Sequence, residues 1–422
     1  MSATPPRKSH YSAWSLLREG LRGQRGWTPA WTDRDPDPAY DVIVIGGGGH
    51  GLATAYYLAR THGIRRVAVL EKGWIGGGNT GRNTTIIRSN YFNPQSAALY
   101  DLSVRLYEGL SRELNYNIMF SQRAIMEIAH TDADLESMAR AANAMRISGI
   151  DIELVDRREA LAMAPLMDAS PDCRWPVRGA LVQRRGGTAR HDAVAWGYAR
   201  AADTLGVHII QGCEVQGFEI EAGRAVGVRT NRGTIRAGRI GMAVAGNSSV
   251  LAELGGFRLP LQSYTLQAMV SEPLEPCLHT VVMSTSNGAY VSQSDKGELV
   301  IGGNLDRNPS YAQRGSFAVT QSVLSTLVEM FPSFATLKLM RQWGGTVDAS
   351  PDNSPLIGPT PLPGLFLNCG WGTGGFKAIP AGGTVFAHLL ATGNHHPLSA
   401  AFDLSRFTTG ALIDESHAGV QH

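Results

Sequence analysis

Gly46-Gly47-Gly48-Gly49-His50-Gly51 satisfies G-x-G-x-x-G, and Glu71 follows one helix and one strand later. Those residue types in that order are suited to holding a nucleotide diphosphate. Gly46 permits a sharp turn out of a strand, Gly48 lets the backbone approach a pyrophosphate, and Gly51 lets a helix lie close on a sheet. The free N–H groups and dipole at the helix start favour phosphate charge. Glu71 can accept hydrogen bonds from both ribose hydroxyls. Gly49 and His50 lie within the same loop, where His50 is expected to offer its backbone N–H and not ring chemistry.

The flanking residues supply the required frame. Val42-Ile43-Val44-Ile45 is a β-branched run, as a strand buried on both faces requires. Leu52 to Arg60 is helical in composition, and Val67 to Leu70 makes a second strand that Glu71 ends. Strand, glycines, helix, strand and acid within about 30 residues specify a dinucleotide-binding unit, where a lone glycine motif would be weak. NAD and FAD both use this unit. Its place near the start of the chain favours FAD. So does the second polar, glycine-rich segment Gly76-Gly77-Gly78-Asn79-Thr80-Gly81-Arg82-Asn83-Thr84-Thr85.

Further along, helices are predicted over 96–113, 134–147, 159–164, 192–205, 319–330 and 378–391. Strands at 207–211, from Glu214-Val215, and at 240–245 return the chain to the nucleotide sheet. There Val215 can present its backbone to an adenine edge. Runs at 266–271, 280–283, 289–292 and 298–301 alternate with turns such as Ser286-Asn287-Gly288 and read as an antiparallel sheet carrying a substrate pocket. Gly364 to Cys369 is a last strand. It leads into Gly370-Trp371-Gly372-Thr373-Gly374-Gly375-Phe376-Lys377, a second glycine-rich turn whose following helix can stabilise charge on a reduced flavin ring.

The expected fold is α/β, with a Rossmann-like FAD-binding domain and a second, antiparallel-sheet substrate domain. The FAD domain is expected at 40–115, 185–258 and 350–410, and the substrate domain at 116–184 and 259–349. An N-terminal arm spans 1–39 and a polar, loose tail 411–422. Residues 13–22 read as a short amphipathic arm docked on the body or on a partner.

Bulk properties exclude other classes. The 38 basic and 36 acidic residues give a net charge of +2, which leaves no footing for nucleic acid. No apolar run approaches the ~20 residues that span a bilayer. The four cysteines, Cys173, Cys213, Cys277 and Cys369, form no C-x-x-C pair, which points to a reduced, cytoplasmic setting. No metal-ligand spacing is found.

From about Tyr40 to Asp414 the chain resembles the β subunits of heterotetrameric sarcosine oxidases, within the glycine oxidase and D-amino-acid oxidase group of flavoproteins. The stretches that carry the resemblance are VIGGGGHGLATAYYLA, VAVLEKGW, RNTTIIRSNY, ARHDAVAWGYARAA, HIIQGCEV and NCGWGTGGFK. The resemblance implies non-covalent FAD held by Gly49, His50, Glu71, Asn79, Thr84, Ile86, Val215, Gly372, Gly375 and Lys377, with Lys72 and Thr85 beside them. His191 matches the histidine that carries a covalent FMN at the interface with an α subunit. By itself a histidine before Asp192 would read as a helix cap or a solvated turn; only the motif turns that reading. Partners implied are α, γ and δ subunits, with NAD and tetrahydrofolate sites on α and zinc on δ.

Arg88 and Lys377 match the pair that clamps a small amino-acid carboxylate in related amine oxidases. The implied activity is oxidation of sarcosine to glycine and formaldehyde, or methylene-tetrahydrofolate, with hydride transfer to FAD and hydrogen peroxide formed at FMN. Where single-chain relatives have an oxygen-activating lysine and a flavin-tethering cysteine, this chain aligns Val300 and Trp343. Three alternatives stay open: a self-sufficient oxidase or dehydrogenase of dimethylglycine, glycine or a D-amino acid, a flavin-holding scaffold, and a plain NAD dehydrogenase.

Overall fold

A computed structural model describes residues 12–27, 29–170 and 172–415. The first sheet runs, edge to edge, Val215–Glu221, Arg224–Thr230, Gly233–Met242, Ala39–Ile45, Val67–Glu71 and His208–Gln211. Ala39–Ile45 pairs in parallel with Gly233–Met242 on one side and with Val67–Glu71 on the other. Leu365–Cys369 extends the parallel core beside residues 240–242. A strand buried on both faces must be apolar throughout, and Val42 to Ile45 are all at most 5% exposed.

One face of this sheet is covered by the helices Gly49–Thr61, Pro94–Glu113, His191–Thr204 and Ile379–Thr392. Small residues let two of them approach closely: a Cβ on Gly383 would fall 2.5 Å from that of Ala53. The other face packs around Phe218, Ile240 and Leu365.

The second sheet runs Leu339–Ala349, Gln262–Pro273, Glu298–Pro309, Ala289–Gln293, Val281–Ser284, Ile125–Ala129, Gly179–Gln183 and Glu153–Asp156. The sequence reading expects an antiparallel sheet, and this one departs from that at one pair. Val281–Ser284 pairs in parallel with Ile125–Ala129. These strands come from distant parts of the chain, so no hairpin dictates their direction. The strand Leu339–Ala349 escapes pattern reading because residues 339–342 are all exposed and two glycines follow.

A third, three-stranded ribbon joins Ile86–Ile87, Gly187–Thr188 and Ser121–Gln122. It fixes the segments that lead to Arg88 and to His191.

Of two peripheral expectations, one narrows and one needs correction. The helix Ala13–Leu21 forms, capped by Ser12, but none of its residues is buried against the body, which leaves docking on a partner as the expectation for it. The arm attaches further on, where Thr32 N–H donates to Asp203 at 3.0 Å. The tail beyond Gly410 is not loose over its described part. Ile413 N–H donates to Asp352 Oδ2 at 3.1 Å, Glu415 N–H donates to the Asp352 carbonyl at 3.0 Å, and Ser354 Oγ donates to the Ile413 carbonyl at 2.7 Å. Asp352 is itself held by buried Arg406 at 2.7 and 2.8 Å.

Candidate active site

The first glycine turn is held by its own neighbours. Glu71 Oε2 accepts from Gly47 N–H, and its Oε1 from Gly73 N–H, both at 2.8 Å. Each carboxylate oxygen has a further lone pair for a ribose. Gly49 N–H donates to Thr80 Oγ1 at 2.9 Å, so Thr80 already bridges the first turn and the second polar segment. Gly51 is obligatory, because a Cβ would fall 2.0 Å from the Gly46 carbonyl. At Gly48 a Cβ would meet only Thr80 Oγ1, at 3.2 Å. The protein itself therefore makes little demand for glycine there, and a close-lying pyrophosphate would. The residues present fit a dinucleotide.

The polar segment leads into the cleft. Asn79 Nδ2 donates to the Thr346 carbonyl, and Thr84 Oγ1 donates to the Tyr290 hydroxyl at 3.1 Å. Thr85 holds φ at +68°, an unfavourable conformation for a β-branched residue, fixed by Asn83 Oδ1 accepting from its N–H at 2.7 Å. Ile86 is buried beside it. Lys72 stands exposed in the turn after Glu71. Val215 starts the sheet's edge strand, next to a break in register.

The second glycine turn is held from outside. Asp348 Oδ2 accepts from Gly370 N–H at 2.6 Å. Burial pushes the Asp348 carboxyl up to about 6, with the Gly370 bond opposing. His50 Nε2 donates to the Gly375 carbonyl at 2.8 Å and its ring stacks on Trp371 at 4.6 Å. Burial holds His50 down to about 4, so the ring stays neutral and its buried Nδ1 takes no hydrogen bond among the described residues. Gly372 adopts φ +50°. From the helix Pro94–Glu113, Ser103 Oγ donates to the Lys377 carbonyl and the Tyr107 hydroxyl to that of Phe376, both at 2.7 Å.

Between the second turn, the polar segment and the second sheet lies a cleft of about 80 Å³, the scale of a few waters and suited to a small ligand. Arg88 and Lys377 both line it, although they are 289 positions apart in sequence. Thr84, Thr85 and Ile86 join them, with Tyr290 and Gln267 from the second sheet. Arg88 is 5% exposed and Lys377 7%, so neither is a solvated surface cation. Arg88 donates to Asn90 Oδ1 at 2.7 Å and lies 5.0 Å from the centre of the Tyr91 ring. Lys377 Nζ donates to the Thr373 carbonyl at 2.9 Å. Burial, and then the Arg88 charge, push the Lys377 ammonium well below the usual lysine range. Two cationic groups facing one small cleft are matched by an anion, and a carboxylate fits Arg88 bidentately.

His191 is not in this cleft. It opens the helix His191–Thr204, reached from the opposite end of the ribbon to Arg88. Arg190 takes the cap position, so His191 is not the cap that its sequence context suggests. Its Nδ1 is buried without a hydrogen bond among the described residues, and burial lowers its pKa while Asp192 opposes. A neutral imidazole with an uncommitted nitrogen suits nucleophilic attachment. Arg190 Nε donates to Asp192 Oδ1 at 3.0 Å across it. Val300 pairs with Val270 and Ser292 and is not among the cleft-lining residues, while Trp343 Nε1 donates to the Arg82 carbonyl at 2.7 Å.

Sequence reasoning missed Tyr290, Gln267 and Asp348. The first two sit in alternating strand runs, where one side of each strand had to face something polar. Asp348 gives no local signal, since its role depends on a turn 22 residues later.

Residues 41–389 match the DAO family, described as FAD dependent oxidoreductase. The chain is 54% identical to the sarcosine oxidase subunit beta of Rhizobium meliloti over 411 residues, covering 97% of this chain and 99% of that one. It is 52% identical to the protein of the same name from Rhodobacter capsulatus, covering 98% and 99%. Among solved structures, the L-proline dehydrogenase from P. horikoshii superposes with a TM-score of 0.84 at 27% identity, covering 89% of this chain and all of that one.

Proposed function

Because the chain belongs to the DAO family of FAD-dependent oxidoreductases, and within it to the sarcosine oxidase β subunits, we propose that it is the subunit that oxidises sarcosine in a multi-subunit complex. The observation that carries this reading is the convergence of buried Arg88 and Lys377 on one small cleft beside the nucleotide unit.

Sarcosine brings a carboxylate and a secondary amine. Arg88 grips the carboxylate through its planar fork, and Lys377 adds a charge from the second turn. A carboxylate between them offsets their repulsion and draws a proton onto Lys377, whose own site disfavours the ammonium. With the carboxylate fixed, few orientations are left to the N-methyl group in so small a cleft. Orientation of this kind accounts for most of the rate an enzyme can supply without an acid or base at the reacting carbon. Buried Ile86 and Tyr290 line the cleft beside the two cations.

FAD held by Gly46 to Gly51, Glu71, Asn79 and the Gly372–Gly375 turn would accept the hydride. The resulting imine hydrolyses to glycine and formaldehyde, or its carbon passes to tetrahydrofolate. FMN carried covalently by His191 would be where electrons leave for oxygen, giving hydrogen peroxide. His191 lies apart from the cleft, which would keep oxygen chemistry away from the imine. Val300 fits this division, because an apolar side chain offers no cation to stabilise superoxide. The α, γ and δ partners, with NAD and folate on α and zinc on δ, belong to the same proposal.

The test is to produce the chain with its natural partners and add sarcosine without oxygen. Bleaching of the flavin band is expected, and acid precipitation should give a yellow pellet with FMN on the His191 peptide. A colourless protein, or full activity after Arg88→Ala, would remove the reading. A self-sufficient oxidase would instead turn over as the isolated chain.

A further inference from the structure

The helix Pro94–Glu113 supports both cations of the cleft. Ser103 and Tyr107 bind the carbonyls of Lys377 and Phe376. Tyr100 packs so close to the second turn that a Cβ on Gly374 would lie 2.1 Å from its hydroxyl. Tyr100 also stacks on Tyr91 at 3.7 Å, and Tyr91 lies beneath the Arg88 guanidinium. Any shift of the helix therefore reaches both ends of the clamp.

Yet this helix begins poorly by its own sequence. Asn93 stands at its N-cap and makes no side-chain cap, and the first turn has no acidic residue. In a capping box, a Glu at the third helical position would reach back to the N-cap amide. Ser96 occupies that position here. The missing carboxylate comes instead from the far end of the chain. Glu415 is 4% exposed and accepts from Asn93 N–H at 3.1 Å, while Asn93 Nδ2 donates to the Asp414 carbonyl at 2.6 Å. A carboxylate there also meets the positive end of the helix dipole.

We propose that Glu415 is a positioning residue for the carboxylate clamp. It caps the helix Pro94–Glu113 from outside and so sets Tyr91, Tyr100 and Ser103, and through them Arg88 and Lys377. The inference rests on the sarcosine reading of the cleft. The strap has separate anchors at Ile413 and at the Glu415 backbone, both on Asp352, so removing the Glu415 side chain leaves it attached.

The experiment uses the assembled complex with propionate as the probe, read by perturbation of the flavin spectrum, together with sarcosine kinetics. In Glu415→Ala, the propionate Kd and the sarcosine KM should rise roughly tenfold with flavin content unchanged, since small displacements of a binding group cost that much or more. Glu415→Gln keeps the hydrogen-bond acceptor and should recover part of the loss. It also carries the test if the alanine variant fails to assemble. Asp203→Ala, which frees the N-terminal arm, is the control for a general loss of stability. An unchanged Kd in both Glu415 variants, or an equal rise in Asp203→Ala, would overturn the proposal. If the unaltered complex responds to neither propionate nor sarcosine, the reading of the cleft fails, and not the cap.

Discussion

The two glycine-rich turns, Gly46–Gly51 and Gly370–Lys377, both lead from a parallel strand into a helix, but they are stabilised differently. The first is held mainly by near neighbours: Gly51 packs on the Gly46 carbonyl, Glu71 binds Gly47 and Thr80 binds Gly49. The second is pinned by Asp348, by His50, and by Ser103 and Tyr107 of one helix, three separate parts of the chain. A turn that only holds phosphate can be built from backbone amides. A turn that must aim a buried cation needs supports from several directions. His50 connects the two, since it belongs to the first turn and binds the second.

Substitutions at the first turn should separate fold from cofactor. Gly51→Ala is expected to abolish flavin binding and soluble folding together, because no rearrangement relieves a 2.0 Å contact with backbone. Gly48→Ala should fold, with the Tm of the flavin-free protein little changed, yet lose flavin. Absorbance per protein and thermal denaturation read both outcomes, and a flavin-replete Gly48→Ala would break the contrast.

At the second turn, Lys377→Met and Arg88→Gln should each lower sarcosine kcat/KM by roughly 10²–10³, the usual cost of removing one partner from a buried charged contact. Lys377→Met should keep or raise the Tm of the ligand-free protein, because it removes a desolvated cation. Steady-state kinetics and calorimetric unfolding decide the matter, and a strong Tm loss would mean that Lys377 is structural.

The pH dependence follows from the same lysine. In the ligand-free cleft its pKa is lowered, by burial first and Arg88 second. A bound carboxylate raises it. Between those two pKa values each carboxylate that binds takes up a proton, so affinity is full below the window and weakens as pH rises through it, by up to about tenfold per unit. Titration calorimetry in two buffers of different ionisation enthalpy should detect the uptake, and it should vanish in Lys377→Met.

His50 gives a smaller effect of its own. Its pKa is about 4 in the fold against 6.5 for an ordinary histidine. Between these values the unfolded chain binds more protons, so stability contributed here is complete above 6.5 and declines as pH falls toward 4. Asp348, raised to about 6, acts in the opposite sense over an overlapping window. In Asp348→Asn the acid-side fall in Tm should therefore steepen. Ser103→Ala should cost least, about 1 kcal/mol in denaturant titration, with a small rise in KM.

The sequence alone determined the first turn, its strands and Glu71, because Gly47, Gly51 and the acid answer to neighbours within one βαβ unit, and period and order are enough to read them. Resemblance to a known family supplied the pairing of Arg88 with Lys377 and the significance of His191, which no local pattern could. Only the tertiary structure showed that one strand pair of the second sheet is parallel, that Asp348 holds a distant turn, and that Glu415 caps a helix whose own first turn lacks an acid. Those features depend on groups far apart in the chain meeting in a low-dielectric interior. There a hydrogen bond or charge gains its value from what has been excluded around it, and that exclusion is a property of the packed fold and not of any segment.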